Sequence, residues 1–157
     1  MDKRILSSNL LSKLLSGAKA RGKKVVFTNG CFDILHSGHI RYLDQAKKLG
    51  DILVIGINSD KSVKKLKGPS RPVNNQDDRA KVVSALRSVD FVTIFTEDTP
   101  EKLIKKLKPD VLVKGGDWKV KDIVGGDFVM SLGGKVKSLP FVKGRSTSSV
   151  LQKIAKL

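Results

Sequence analysis

The chain has one cysteine, two histidines, one tryptophan and one tyrosine among its 157 residues. A lone cysteine excludes an internal disulfide, so a hydrophobic core must hold the fold. All the cysteine and histidine lies between positions 31 and 39, which leaves one place for a zinc site built on those ligands. Aromatics make up 5% of the chain and are mostly Phe at apolar positions, a poor supply for stacking on single-stranded nucleic acid. No apolar run approaches the roughly 18–20 residues that span a bilayer. The start, Met1-Asp2-Lys3-Arg4, lacks an apolar signal core and a cleavage site, so the expected compartment is the cytoplasm, away from the membrane. No Gly-x-x-x-x-Gly-Lys-Ser/Thr loop occurs, which disfavours a kinase of that type.

Negative charge is also scarce: 15 Asp and Glu stand against 31 Lys and Arg, a net charge of +16. Such an excess predicts anionic partners, either nucleic acid or nucleotides and sugar phosphates. The basic residues are scattered over positions 47–48, 61–67, 102–108 and 135–143. Many of them read as solvated helix faces, so nucleic acid is the lesser candidate.

What is present suits one domain over 1–157, with 1–22 as an N-terminal helical extension. The pattern predicts helices at 8–20, 37–49, 75–87, 100–108, 122–132 and from about 147 to 156. Apolar strands are expected at 24–28, 51–57, 91–95, 111–113 and 135–139, and a basic loop at 58–74 broken by Gly68, Pro69 and Pro72. Asn75 is an N-cap candidate with Asp77 and Asp78 in the first turn, and Pro100 opens the next helix. Five strands alternating with helices imply an α/β fold, a Rossmann-like doubly wound parallel sheet in the order 3-2-1-4-5. In that order the first and fourth strands become neighbours, and their C-terminal loops line one crevice.

The segment Val25 to His39 carries the chemistry: a strand, a glycine turn, then His36-Ser37-Gly38-His39 as a helix begins. A helix start offers free backbone N–H groups and the positive end of the dipole. Gly38 leaves room for a phosphate, and the histidines one turn apart can face the same anion. Two other readings stay open. The His-x-x-His pattern can cap the helix without any ligand, and Cys31, His36 and His39 with Asp33 could hold zinc.

These residues resemble the cytidylyltransferase-like nucleotidyltransferases, over about Lys24 to Ile154. Thr28 to Asp33 followed by His36-Ser37-Gly38-His39 is similar to the family's nucleotide signature. Asn58-Ser59-Asp60 resembles the end of its second strand, Arg79 its helix arginine, and Lys114-Gly115-Gly116-Asp117-Trp118 the loop after its fourth strand. Leu66-Lys67-Gly68 with Arg71-Pro72-Val73-Asn74 resembles the branch acting on heptose 1-phosphate. Gly144 to Ser148 sits where the family carries a second phosphate motif, often Ser-Thr-Thr. Here Ser148 keeps the hydroxyl, and Arg145 stands where a small or apolar residue is common.

The resemblance implies transfer of AMP from ATP to D-glycero-β-D-manno-heptose 1-phosphate, with pyrophosphate leaving and an ADP-heptose as product. The length suits the stand-alone form of that enzyme. His36, His39, Lys67 and Arg79 are then the catalytic set, with Arg79 on the phosphates or bracing the loop. Thr28, Asn29, Gly30, Phe32, Gly38, Lys114, Gly115, Asp117, Ser146, Thr147 and Ser148 would bind nucleotide. Asp33, Asn58, Asp60, Arg71 and Trp118 would serve the sugar phosphate, although Asp33 also suits a turn cap and Trp118 a packing role. Mg²⁺ is expected on the ATP phosphates with no dedicated protein ligands, and the family's members are commonly homodimers. A cytidylyltransferase for glycerol 3-phosphate or ethanolamine phosphate is the neighbouring alternative; a nucleotide sensor and a basic nucleic-acid-binding domain are the others.

Overall fold

Five short apolar runs become strands: β1 (Val25–Gly30), β2 (Ile52–Asn58), β3 (Phe91–Phe95), β4 (Val111–Gly115) and β5 (Lys135–Leu139). The computed structural model describes residues 3–157. All strand pairs are parallel, and the order is β3-β2-β1-β4-β5, as the alternation of elements implies. Phe27 of β1 sits in register with Val54 on one side and Leu112 on the other.

The described residues form seven α-helices around the sheet: α1 (Ser8–Ala20), α2 (Ser37–Lys47), α3 (Asp60–Lys67), α4 (Gln76–Ser84), α5 (Glu101–Leu107), α6 (Gly126–Ser131) and α7 (Thr147–Ile154). The strand period of two divides the interior into two cores. Val26, Leu53, Ile55, Ile57, Val111 and Val113 meet Leu43 and Ala46 of α2 and Ala80 and Val83 of α4. Val25, Phe27, Val54 and Leu112 meet Leu11 and Leu15 of α1, Leu103, Ile104 and Leu107 of α5, and Val129 of α6. The free edge of β3 is covered by the segment before α1: Leu6 N–H donates to Val92 O at 2.9 Å and Val92 N–H to Arg4 O at 2.8 Å. An edge paired in this way no longer templates association.

Two expectations are corrected. The stretch 58–74 is not one loop, because its first half is α3, capped by Ser59 Oγ, which accepts from Ser62 N–H. Only Ser62 and Val63 of α3 are buried while its lysines are exposed, so no apolar stripe announces it. It stops at Gly68, whose φ of 98° suits glycine alone. The helix expected at 122–132 is a 3-10 turn at Val120–Asp122 followed by α6, parted by Gly125 at φ 80°. Asn75 does cap α4, its Oδ1 accepting from Asp78 N–H at 2.9 Å. Among the described residues no helix is long and apolar enough to cross a membrane.

Candidate functional site

The C-terminal ends of β1 and β4 diverge over a cavity of about 500 Å³, bordered by Gly30, His39, Lys67, Lys114, Trp118 and Thr147 among others. This is the switch point of the sheet, where chain connections leave in opposite directions.

His36 is the N-cap of α2. Its Nδ1 accepts from Gly38 N–H at 3.2 Å, while His39 Nδ1 accepts from His36 N–H at 3.3 Å. The cap expected as an alternative to ligand binding is therefore present, and it engages only the Nδ1 atom of each ring. With both Nδ1 atoms accepting, the proton of each neutral ring sits on Nε2, leaving two N–H donors free. The rings are in contact, tilted by 38° with centroids 4.0 Å apart. Burial and then the neighbouring His36 bring His39 down to about 4. Burial and then the charge of Arg145 lower His36 as well. Gly38 is required by space: a Cβ there would lie 2.8 Å from His36 Nδ1.

The turn before α2 is held by Asp33, 5% exposed. Its carboxylate accepts from Arg71 Nε at 2.7 Å, from Val73 N–H at 2.9 Å and from Asn74 N–H at 2.9 Å. Asn74 Nδ2 returns a bond to Asp33 O at 2.8 Å. Burial alone would raise the Asp33 pKa, but the two amides and Arg71 outweigh it and hold the carboxyl below its usual value. Asp33 thus clasps the 71–74 segment, and it also borders the cavity.

Arg79 makes the bracing contacts that were one of its two expected roles. It is 1% exposed, and its guanidinium donates to Asn74 O at 3.0 Å, Cys31 O at 2.6 Å, Asn58 O at 2.8 Å and Asp60 Oδ1 at 2.8 Å. One cation ties the end of β1, the end of β2, the start of α3 and the 71–74 segment into a frame, with four of its five N–H groups bonded. Asp60 and Asn58 face inward to the same frame, and Asn58 Nδ2 also donates to Ser62 Oγ at 3.0 Å. Thr28 is fully buried with its hydroxyl bonded to Tyr42 at 2.6 Å, so its side chain packs beneath the site instead of binding nucleotide.

Lys67 ends α3 and borders the cavity, as do Asn29, Phe32, Gly115 and Arg71. Phe32 holds a positive φ of 47° and meets the His39 ring at 5.5 Å, a strained backbone position at the site. Lys114 lies with its amine 5.5 Å over the Trp118 ring, and burial lowers its pKa. Asp117 is exposed and outside the cavity wall. Ser146 caps α7, accepting from Ser149 N–H at 3.0 Å, and Thr147 Oγ1 donates to Ile34 O at 3.1 Å, joining α7 to the loop before α2. Ser148 is exposed in the first turn of α7. Among the described residues no three His, Cys, Asp or Glu groups converge on a metal; Cys31 is half-buried with its thiol pushed up by burial.

Tyr42 and Phe141 also border the cavity and were not singled out in the sequence. Tyr42 lies one turn after His39, a spacing that could have marked it. Phe141 packs across Gly115 and Gly116, where added Cβ atoms would meet its ring at 2.8 and 2.9 Å. No periodic signal announces a loop aromatic.

The chain is 49% identical to "Bifunctional protein HldE" of Trichlorobacter lovleyi, over 98% of this chain and 31% of the relative. It is 53% identical to the HldE of Wolinella succinogenes, over the same shares. It thus spans about a third of the length of these curated relatives. The crystal structure of a lipopolysaccharide core biosynthesis protein from Thermoplasma volcanium matches with a TM-score of 0.62 at 32% identity, covering 79% of this chain and all of that one. The cytidylyltransferase-like family model matches residues 27–142, and the chain belongs to that family.

Proposed function

We propose that this protein transfers AMP from ATP to D-glycero-β-D-manno-heptose 1-phosphate, releasing pyrophosphate and forming an ADP-heptose. The observation that carries the reading is the pair of free Nε2–H donors of His36 and His39, presented at a helix start beside a cavity bordered by Lys67 and Lys114. The match of the 66–74 segment to the heptose branch supports the acceptor, as does the relative named for lipopolysaccharide core biosynthesis.

A phosphate oxygen of the sugar phosphate attacks the α-phosphorus. The bond to the bridging oxygen breaks, and its electron pair leaves with pyrophosphate. The nucleophile is already anionic, so no general base is needed, and catalysis reduces to alignment and charge stabilisation. The neutral histidines donate to the triphosphate, Lys67 closes over it from the end of α3, and the first turn of α7 receives the β and γ phosphates. Lys114 meets the nucleotide, and Trp118 borders the acceptor. Among the described residues no cluster of His, Cys, Asp or Glu is placed to hold a metal, and Mg²⁺ travels with the ATP phosphates in this reading. The protein acts as a homodimer, and sedimentation equilibrium reads its mass; a monomer overturns that part alone.

The test is pyrophosphate release with Mg²⁺, crossing ATP, CTP and GTP with heptose 1-phosphate, glycerol 3-phosphate and ethanolamine phosphate. Release is expected with ATP and heptose 1-phosphate. Release only with CTP and an alcohol phosphate overturns the substrates, and none with any pair overturns the reaction. His39→Ala should lower kcat by more than about tenfold.

A further inference from the structure

We infer that Arg145 binds the leaving-group phosphates of the nucleotide, a role resting on the nucleotidyltransferase reading above. Gly144, at φ 74°, turns the chain so that Arg145 immediately precedes Ser146, the N-cap of α7. Its Cβ lies 3.2 Å from where a Cβ on Gly38 would be, so the residue packs on the first turn of α2. Its charge reaches the His36 ring, where it helps hold that imidazole neutral. Arg145 therefore stands between the His36–His39 turn and the start of α7, the two elements proposed to share the triphosphate.

The other two arginines of the site are already committed. Arg71 is paired with Asp33, and Arg79 with Asp60. Among the described residues Arg145 has no carboxylate within ion-pair distance. Arg145 is exposed, and its guanidinium, without a protein acceptor and next to two helix starts, is free to take an anion there. Its planar fork matches two phosphate oxygens. The pyrophosphate gains negative charge as the α–β bond breaks, so a cation there acts more strongly in the transition state than before it. Lysine would supply the charge without the fork.

The experiment compares wild type, Arg145→Ala, Arg145→Lys and Lys143→Ala. Steady-state kinetics are measured with ATP and sugar phosphate varied separately, with pyrophosphate as product inhibitor. The expected result for Arg145→Ala is a fall in kcat/KM for ATP of about tenfold to a hundredfold, the scale of one or two charge-assisted hydrogen bonds. Pyrophosphate inhibition should weaken by a similar factor, and the KM for sugar phosphate should hold. Arg145→Lys should recover part of the loss, and Lys143→Ala should match wild type. An NMR titration of Arg145→Ala without nucleotide should show the His36 pKa raised, because a nearby positive charge is gone.

An active wild type with Arg145→Ala unchanged toward ATP and pyrophosphate overturns the inference alone. So does a loss confined to the KM of the sugar phosphate, or an equal loss in Lys143→Ala. A wild type inactive with every nucleotide overturns the underlying reaction and this inference with it.

Discussion

Arg71 Nε donates to the buried carboxylate of Asp33 at 2.7 Å, and the amides of Val73 and Asn74 complete the carboxylate's acceptor sites. The turn that leads into α2 is thereby fastened to the segment following α3, so the histidines and Lys67 share one support. Asp33→Ala leaves a cation and two amides without an acceptor, and should cost about 3 kcal/mol. Asp33→Asn keeps the shape and part of the bonding and should cost less. Urea unfolding checks both, and an Asp33→Ala protein as stable as wild type would refute the clasp.

Acid should weaken the fold in two separable windows. His39 has its pKa lowered to about 4, while an unfolded histidine titrates near 6.5. Between those values the unfolded chain binds a proton that the native state refuses, so stability falls as pH drops from about 6.5 to 4. Asp33 is also depressed, but for a carboxylate the sign differs in placement. Its contribution is complete above the unfolded value of about 3.9 and disappears as pH falls through the lower folded value. His39→Gln should reduce the slope of the upper window, to which His36, also lowered, contributes, and leave the Asp33 window below it. An unchanged slope between pH 6.5 and 4 would refute the assignment.

Arg79 and Lys67 are both basic residues of the 58–79 region, yet they should fail differently. Arg79→Met strips a donor set from three carbonyls and one carboxylate in the interior, and should cost about 3–5 kcal/mol. Arg79→Lys should recover little, since a point charge cannot reach four acceptors. Lys67 is exposed and makes no such frame. Lys67→Ala should keep the wild-type unfolding midpoint and lose turnover by more than about tenfold. Calorimetry beside pyrophosphate release separates the two, and matched losses in both assays would refute the division.

The sheet was legible because its strands are apolar runs with breaks between them, and the order followed from their alternation with helices. The His36–His39 turn was legible as a strand-to-helix junction from two histidines and a glycine. What escaped the sequence is direction. Asp33, Thr28, Asp60 and Arg79 are polar residues in motif positions, and composition cannot say whether their groups face a ligand or one another. All four face one another or a neighbour such as Tyr42. The helix α3 escaped for a different reason, since Val63 is its only buried apolar residue and one contact makes no period.

Gly38 and Gly17 offer a contrast between a glycine needed for chemistry and one that is dispensable. Neither has a positive φ, so alanine strains no backbone and space alone decides. At Gly38 a Cβ would lie 2.8 Å from His36 Nδ1, 2.9 Å from His36 Cε1 and 3.2 Å from Arg145 Cβ. The His36 ring must swing aside, which breaks its cap and puts a methyl group where a phosphate would approach the amides. Losing the cap costs about 1 kcal/mol, a fall of about 2–4 °C in Tm for a chain of this size. Turnover should fall much further, by about a hundredfold or more, since a hydrogen-bond donor to the transferring group is misplaced as well. At Gly17, inside α1, the added Cβ meets only Arg21 Nη1, at an ordinary 3.6 Å. Gly17→Ala should therefore stabilise the protein by about 0.5–1 kcal/mol through helix propensity and leave turnover unchanged. Differential scanning calorimetry with pyrophosphate release on both variants reads the contrast. A Gly38→Ala enzyme with normal turnover would remove the His36–His39 turn from the reaction.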